Sequence, residues 1–419
     1  MIYFSFLNNI LWILVIILMI ILGIYLTIKF KGIQFGIFKM LKCLFNKKGN
    51  NNEFNSFKTL MLTLAGKVGV GSISGIALAI YLAGPGTLFW LWFISFFTIP
   101  IVYAETYLGI RYREKKNNQY IGGVAYYIKN GLKKHNLGYI YSMIIIICYV
   151  IGFVSIQSNT ITKSIISIIN VRPIMIGLIL GIVTSLVVFG GIKKIVDTTS
   201  KIVPIMTILY IILGIFIIIK NVDVIPSIIK IIIKNAFDYK TFGVSSMIIG
   251  IQRGIFSNEA GIGTGSIAAS INQDNDITNN SYIQMLSVYI TSFLICTITG
   301  IIVILSNYGI LNISDPNGIE IALFSFNYHF GNIGNILLIV LIILFAFSTI
   351  LSAYYYGEVC LNYFNHHNND ILKILLLVVV LLGSVFSSSI IWLFIDIFIT
   401  ILAIINIYAI YKLRHEIKT

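Results

Sequence analysis

Apolar residues fall along this chain in blocks of about twenty, separated by short stretches where Lys, Asn, Asp and Gly collect. Twenty helical residues rise about 30 Å, the thickness of a bilayer's hydrocarbon core. Taken in order, the blocks predict helices at roughly 9–29, 57–83, 86–110, 139–168, 174–190, 201–219, 243–270, 281–306, 332–363, 371–386 and 388–411. The expected class is therefore an all-α integral membrane protein of about eleven transmembrane helices. Residues 9–29 read as a retained span: the apolar run is too long for a cleaved leader, and no basic stretch precedes it.

Two of the predicted spans differ from the rest. Residues 65–75 read Ala-Gly-Lys-Val-Gly-Val-Gly-Ser-Ile-Ser-Gly, and residues 254–265 read Gly-Ile-Phe-Ser-Asn-Glu-Ala-Gly-Ile-Gly-Thr-Gly. Glycine costs about 1 kcal/mol per residue relative to alanine inside a helix. Close helix–helix packing through small residues explains the glycines. It does not explain Ser72, Ser74, Ser257, Asn258 and Glu259 among them. The reading that explains both is that each helix is broken within the membrane, where unwound backbone survives only if buried or facing a watery cavity. Setting 9–29 aside as a peripheral helix leaves ten spans, with the breaks in the first and the sixth. Five is odd, so the second half enters from the opposite side. The expected plan is one transporter domain over 1–419, with a 5+5 inverted repeat of 57–219 and 243–411, and binding near the midplane. Segment 221–242 is expected to lie along the interface. Segment 307–331, with the turn signal Asp315-Pro316-Asn317-Gly318, is expected to cap the site from outside.

Composition narrows the class further. With 58% apolar and 11% charged residues, there is too little polar side chain to cover a water-facing surface. The net charge of +14 invites a nucleic-acid reading, but its distribution removes it. With the N-terminus outside, the inner segments carry 21 of the 29 Lys and Arg residues. The basic charge then marks the cytoplasmic lipid surface, and the expected topology in the plasma membrane is N-terminus out, C-terminus in. The single cysteines Cys43, Cys148, Cys296 and Cys360 read as small apolar fillers. The histidines (His135, His329, His366, His367 and His415) fall in loops or the tail, and no nucleophile–base or metal-ligand cluster lies within a span, so no enzyme chemistry and no cofactor is expected.

A broken helix exposes N–H groups at the start of its second half and C=O groups at the end of its first. The former attract a carboxylate and the latter a cation, which suits a zwitterionic amino acid travelling with a cation. Gly69 and Gly71 would let backbone approach such a substrate, with Ser72 beside them. Gln157, Ser158 and Asn159 interrupt another span; Gln157 suits an ammonium or carboxylate, or equally an interhelical hydrogen bond. Ser348 and Thr349 either bond back to their own helix or complete an oxygen cage for sodium. The intramembrane charges are Lys67, Glu105, Lys163, Arg253, Glu259, Glu358 and Asp396. Glu105 is expected to partner an arginine or a loop amide. Arg253 and Glu259 are expected to gate or brace the second break, and Lys67 to snorkel inward or pair with an acid.

These residues also carry a family resemblance. The run Gly66-Lys-Val-Gly-Val-Gly-Ser-Ile-Ser-Gly, then Gly84-Pro-Gly-Thr-Leu-Phe-Trp90, Glu105-Thr-Tyr-Leu, Gly122-Gly-Val-Ala-Tyr-Tyr-Ile and Lys201-Ile-Val-Pro-Ile-Met resemble the alanine or glycine:cation symporters. So do Arg253-Gly-Ile-Phe-Ser-Asn-Glu-Ala-Gly-Ile-Gly, Phe345-Ala-Phe-Ser-Thr-Ile-Leu and Tyr355-Tyr-Gly-Glu358. The resemblance implies the inverted-repeat fold of the bacterial leucine transporter, sodium (in some members proton) coupling, and alanine, glycine or a similar small neutral amino acid as substrate. It implies that Gly69, Gly71, Ser72, Gln157, Phe256 and Ser257 bind substrate. By the same similarity, the carbonyls near Ala65 and Val68 with Ser348 and Thr349 would hold sodium. Three positions depart from the family pattern: Ser72 in the first break, Thr291 where the family usually has an acid, and Ala353 where it usually has tryptophan. They leave the exact amino acid open, and keep a binding sensor or channel without coupled transport as the alternative.

Overall fold

The computed structural model describes residues 2–45, 53–116, 119–238, 243–274, 276–306, 317–364, 369–386 and 389–419. Its helices are α1 (Ile2–Lys29), α2 (Ile37–Phe45), α3 (Ser56–Lys67), α4 (Ser74–Ala83) and α5 (Thr87–Arg111). A short hairpin follows, β1 (Glu114–Lys116) against β2 (Gln119–Ile121). Then come α6 (Val124–Asn130), α7 (His135–Ile145), α8 (Val154–Ile166), α9 (Pro173–Val188), α10 (Gly191–Lys220), α11 (Ile225–Ala236), α12 (Gly243–Asn258) and α13 (Thr264–Ser270). The chain ends with α14 (Ile277–Val288), α15 (Thr297–Leu305), α16 (Gly318–Phe330), α17 (Asn332–Tyr363), α18 (Asp370–Val385) and α19 (Ser389–Leu413). Two π-helical segments, Ile146–Phe153 and Tyr289–Cys296, join α7 to α8 and α14 to α15 without a break in the rod.

Each of the eleven predicted spans is helical, but they are not equally long. Seven helices among the described residues are long and apolar enough to cross a bilayer, and the bent pair of Ser56–Lys67 with Val70–Ala83 makes eight. The other three predicted spans fall short for a plain reason. Helices α9 and α18 have 16 residues each, about 24 Å of rise, and the span predicted at 243–270 is split after Asn258.

Burial separates the helices that line the interior from those that face lipid. The most apolar window of α17 is 72% buried and that of α5 is 67%, against 33% for α1 and for α10, so α5 and α17 form the centre. The broken helices pack on that centre: α12 and α13 against α5, and α3 against α10 and α17. Helix starts are specified locally. The Asn55 side chain accepts from the Lys58 N–H at the head of α3, and Asp276 accepts from the Asn279 N–H at the head of α14.

The two connecting segments take defined positions. Helix α11 buries Ile228 and Ile232 and exposes Ile229, Ile231 and Ile233. It is tied to the start of α5 by the Gly86 N–H donating to Asn235 (2.9 Å) and the Trp90 indole donating to the Ala236 carbonyl (3.1 Å). Helix α16 opens with a capping box between Asn317 and Glu320 and packs on α4 and α17. Asp315 and Pro316 of the predicted turn, and His366 and His367, lie outside the described residues.

Candidate functional site

The first break follows from its glycines. Helix α3 stops at Lys67, Val68 leaves helical geometry (φ −95°, ψ 69°), Gly69 is extended, and one tight turn over Val70–Ser72 precedes α4. The two halves are bent by 63°. The second break, between Asn258 and Thr264, holds three residues at positive φ: Glu259 (50°), Gly261 (78°) and Gly263 (103°). Glycine occupies that region freely, whereas a glutamate there costs about 1–3 kcal/mol and persists only if its surroundings enforce it. They do so here. The Asn258 side chain accepts from the Ala260 N–H (2.9 Å) and donates to Ser95 (3.1 Å) and Ser292 (3.2 Å), locking the turn to α5 and the neighbouring π segment.

The breaks meet each other. The hydroxyls of Ser72 and Ser257 lie 2.7 Å apart, and Ser257 lies 3.0 Å from the Cys296 sulfur. A Cβ placed on Gly71 would stand 2.8 Å from the Phe256 ring. A Cβ on Gly69 would stand 2.7 Å from the Thr349 hydroxyl and 3.3 Å from the Gln157 amide nitrogen, while Gln157 accepts from the Val70 N–H at 3.3 Å. Gly69, Gly71, Ser72, Gln157, Phe256 and Ser257 thus lie together, all buried. Of the polar trio on α8, only Gln157 turns toward the break. Ser158 donates to the Val380 carbonyl (2.6 Å) and Asn159 to that of Phe386 (2.8 Å), both bracing α18.

The predicted cation ligands separate more unevenly. Thr349 lies 2.9 Å from the Ala65 carbonyl and 2.9 Å from that of Phe345. One hydroxyl proton satisfies only one of these, so oxygen lone pairs remain, a hard neutral donor set of the kind that coordinates sodium at an unwound helix. Ser348 also donates to Phe345 (2.9 Å) but leans toward the Met206 sulfur at 3.6 Å, on α10. Val68 closes α3 through its N–H to the Leu64 carbonyl (2.7 Å).

The intramembrane charges collect around the breaks. Of the two partners expected for Glu105, the loop amide is the one present among the described residues: its Oε2 accepts from the Gly261 N–H (3.1 Å), in the second break itself, and from Asn406 (3.0 Å). Lys67 donates to Ser287 (2.9 Å) on α14. Glu259 accepts from Thr264 (2.5 Å), inside its own turn. The Arg253 guanidinium lies over the rings of Trp392 (5.2 Å) and Phe256 (5.6 Å).

Several neighbours were invisible in the sequence. Cys296 is not merely an apolar filler, because its sulfur joins the Ser72–Ser257 pair. Tyr149 stacks on Phe153 (4.4 Å between centroids, 8° between planes), Phe153 stacks on Phe256 (5.2 Å, 11°), and Trp392 closes the row. An aromatic residue in an apolar span carries no signal of its own. The π segments that aim Phe153 and Cys296 inward have none either, although π bulges recur at functional sites. At the departures, Ala353 is buried in α17, and the buried Thr291 hydroxyl has no hydrogen-bond partner among the described residues.

Two interrupted helices facing each other across buried polar backbone, within a multi-pass helical membrane protein, define the class of secondary transporters. The sequence profile of the sodium:alanine symporter family matches residues 2–419, and this chain belongs to that family. The amino-acid carrier protein AlsT of Bacillus subtilis is 32% identical over 93% of this chain and 84% of its own length. The sodium/alanine symporter AgcS of Methanococcus maripaludis is 32% identical over 81% of this chain and 78% of its own. The probable sodium/glutamine symporter GlnT of Bacillus subtilis is 32% identical, over 98% and 88%. Among solved structures, a Na+-coupled sialic acid symporter superposes with a TM-score of 0.56 at 14% identity, covering 96% of this chain and 82% of that one. That likeness concerns the fold.

Proposed function

We propose that this protein is a symporter in which a sodium gradient drives import of alanine, glycine or a similarly small neutral amino acid by alternating access. The observation that carries the reading is the convergence of both breaks on one buried spot, with Ser72 against Ser257 and Gly69 close against Thr349 and Gln157. In this reading Gly69, Gly71 and Ser72 take the substrate carboxylate. Gln157 orients the substrate, and Phe256 and Ser257 form the opposite wall. Sodium is held by carbonyls of the first break, at Ala65 and Val68, with Thr349 and Ser348. Relatives named for sodium/alanine symport support the small substrate. Residues 57–219 and 243–411 are the two inverted repeats around the peripheral helix 9–29. The concentration of Lys and Arg in alternate connecting segments supports an N-terminus outside and a C-terminus in the cytoplasm. Arg253 and Glu259 brace or gate the second break, and no chemical conversion of the substrate is involved.

The deciding experiment is uptake of labelled alanine and glycine into proteoliposomes under an imposed sodium gradient. Accumulation above the external concentration that vanishes without sodium is the expected result. Uptake of neither amino acid with or without sodium overturns the substrate assignment, and binding without accumulation overturns coupled transport.

A further inference from the structure

The binding reading makes no use of the start of α10, although Lys201-Ile-Val-Pro is part of the family resemblance. A surface groove of about 390 Å³ runs there along one flank of the helix, from Gly190 to Ile202. The acids beside it are already spent. Glu53 pairs with Lys193 (3.0 Å), and Asp197 pairs with Lys58 (2.5 Å) at the head of α3. Lys194 and Lys201, both exposed, have no ion pair among the described residues, and Thr198 stands between them. A Cβ on Gly190 would collide with Lys194 Cδ, so glycine is what lets that lysine fold back over the start of the helix. Four lysines against two acids leave the groove with two uncompensated positive charges.

The same face of α10 then turns apolar. Lys194 and Lys201 are seven residues apart, two helical turns, and so lie one above the other about 10 Å apart. Ile205, Ile208 and Ile212 continue their stripe and are 57%, 56% and 57% exposed, while Val203, Met206 and Tyr210 on the opposite face are buried. Helix α10 is long and apolar enough to cross a bilayer, so isoleucines exposed along it face acyl chains. Lys201, one turn before Ile205, then stands at the level of the lipid headgroups. An anion held directly above an acyl chain is a phospholipid phosphate, and basic pockets at that depth suit one. A free phosphate would meet the lysines but not the isoleucines, and a nucleic acid or an acidic protein could not follow the stripe into hydrocarbon.

We propose that Lys194 and Lys201, with Thr198 between them, bind the headgroup of an anionic glycerophospholipid whose acyl chains lie along Ile205, Ile208 and Ile212. The two ammonium groups, each on a flexible four-carbon stem, donate to the phosphodiester oxygens from either side, and the Thr198 hydroxyl donates to a headgroup oxygen. The lipid sits next to the Lys58–Asp197 pair, at the foot of the first broken helix. The site needs neither sodium nor an amino acid, and it stands whatever solute the protein carries.

Native mass spectrometry of the delipidated full chain in detergent tests it, with phosphatidylglycerol and phosphatidylcholine of identical acyl chains added in turn. Wild type is expected to bind its first phosphatidylglycerol about tenfold more tightly than its first phosphatidylcholine. Lys194→Gln combined with Lys201→Gln is expected to bring the two lipids to equal affinity, whereas Lys194→Arg combined with Lys201→Arg keeps the preference. Lys230→Gln combined with Lys234→Gln removes the same charge from exposed positions on α11 and is expected to leave the preference intact. Thermal melts show which variants are folded. If the glutamine pair is not, each single glutamine variant is expected to lose about threefold. Equal affinity for the two lipids in wild type overturns the proposal, as does an undiminished preference in the glutamine variants. A loss of the same size in the α11 pair assigns the preference to net charge and overturns the site. Displacement of the lipid by an equal concentration of inorganic phosphate or glycerol phosphate reveals a free-anion site and overturns the lipid.

Discussion

Gly71 offers the sharpest test of where the substrate sits. A methyl group there would stand 2.8 Å from one Phe256 ring carbon and 3.2 Å from the next, so the ring must retreat by about 0.6 Å to regain an ordinary 3.4 Å contact. Phe256 has little room to do so, being stacked against Phe153 and flanked by Trp392. Overpacking of this kind costs about 1–3 kcal/mol. If the strain is expressed in binding, Gly71→Ala weakens amino-acid affinity roughly 5- to 150-fold, at 1.4 kcal/mol per tenfold. Gly71→Leu puts bulk into the space itself and is expected to abolish binding. The assay is equilibrium binding of labelled alanine to purified protein in saturating sodium, alongside size-exclusion profiles and thermal melts to show that the variants are folded. Gly71→Ala combined with Phe256→Leu relieves the collision and is expected to recover part of the lost affinity. A folded Gly71→Leu protein with wild-type affinity would show that the substrate does not occupy this spot.

Thr349 and Ser348 are predicted to differ. Thr349→Val removes the hydroxyl that meets the Ala65 carbonyl and is expected to weaken apparent sodium affinity at least tenfold, whereas Ser348→Ala, facing Met206, loses less; equal losses in sodium-activation curves of uptake would refute this. Gln157→Leu leaves the buried Val70 N–H without its acceptor, an expected loss of about 1–3 kcal/mol in a thermal or denaturant melt, accompanied by weaker alanine binding; an unchanged melt would contradict the hydrogen bond. Outside the membrane, partial burial would raise the Glu114 carboxyl, but its hydrogen bonds from Lys129 (2.8 Å) and Asn130 (3.1 Å) outweigh that and hold it below its ordinary value. A depressed value means that the stabilisation is present above the ordinary carboxyl pKa of about 4.3 and is lost as pH falls through the folded-state value. Glu114→Gln is thus expected to lower stability by at most about 1 kcal/mol at neutral pH and by nothing at the acid end, read from melts across pH.

The broken helices were legible because glycine clustering is a local signal: backbone that cannot stay helical announces itself in the residues that make it so. Gly69, Gly71, Gly261 and Gly263 all fall where the chain leaves the helix. The same logic identified Gln157, whose polarity is conspicuous in an apolar span. What failed to show was anything decided by direction around a helix axis. Ser348 and Thr349 are neighbours in sequence, and about 100° of helical rotation sends one toward Met206 and the other toward Ala65. The bounds of α9 and α18, by contrast, fall within two residues of the sequence reading, because apolar length is a local signal too.

The sequence by itself therefore determined the medium, the helical class and the two places where helices give way, because hydrophobicity and glycine act through the free energy of single residues in lipid or in a helix. Only the tertiary structure decided which polar groups share one space. The pairing of Ser72 with Ser257 and Cys296, the aromatic row from Tyr149 to Trp392, and the contacts of Glu105 with Gly261 and Asn406 each join residues that stand far apart along the chain. Such contacts depend on how rods pack and rotate against one another, and no local pattern of residues encodes that.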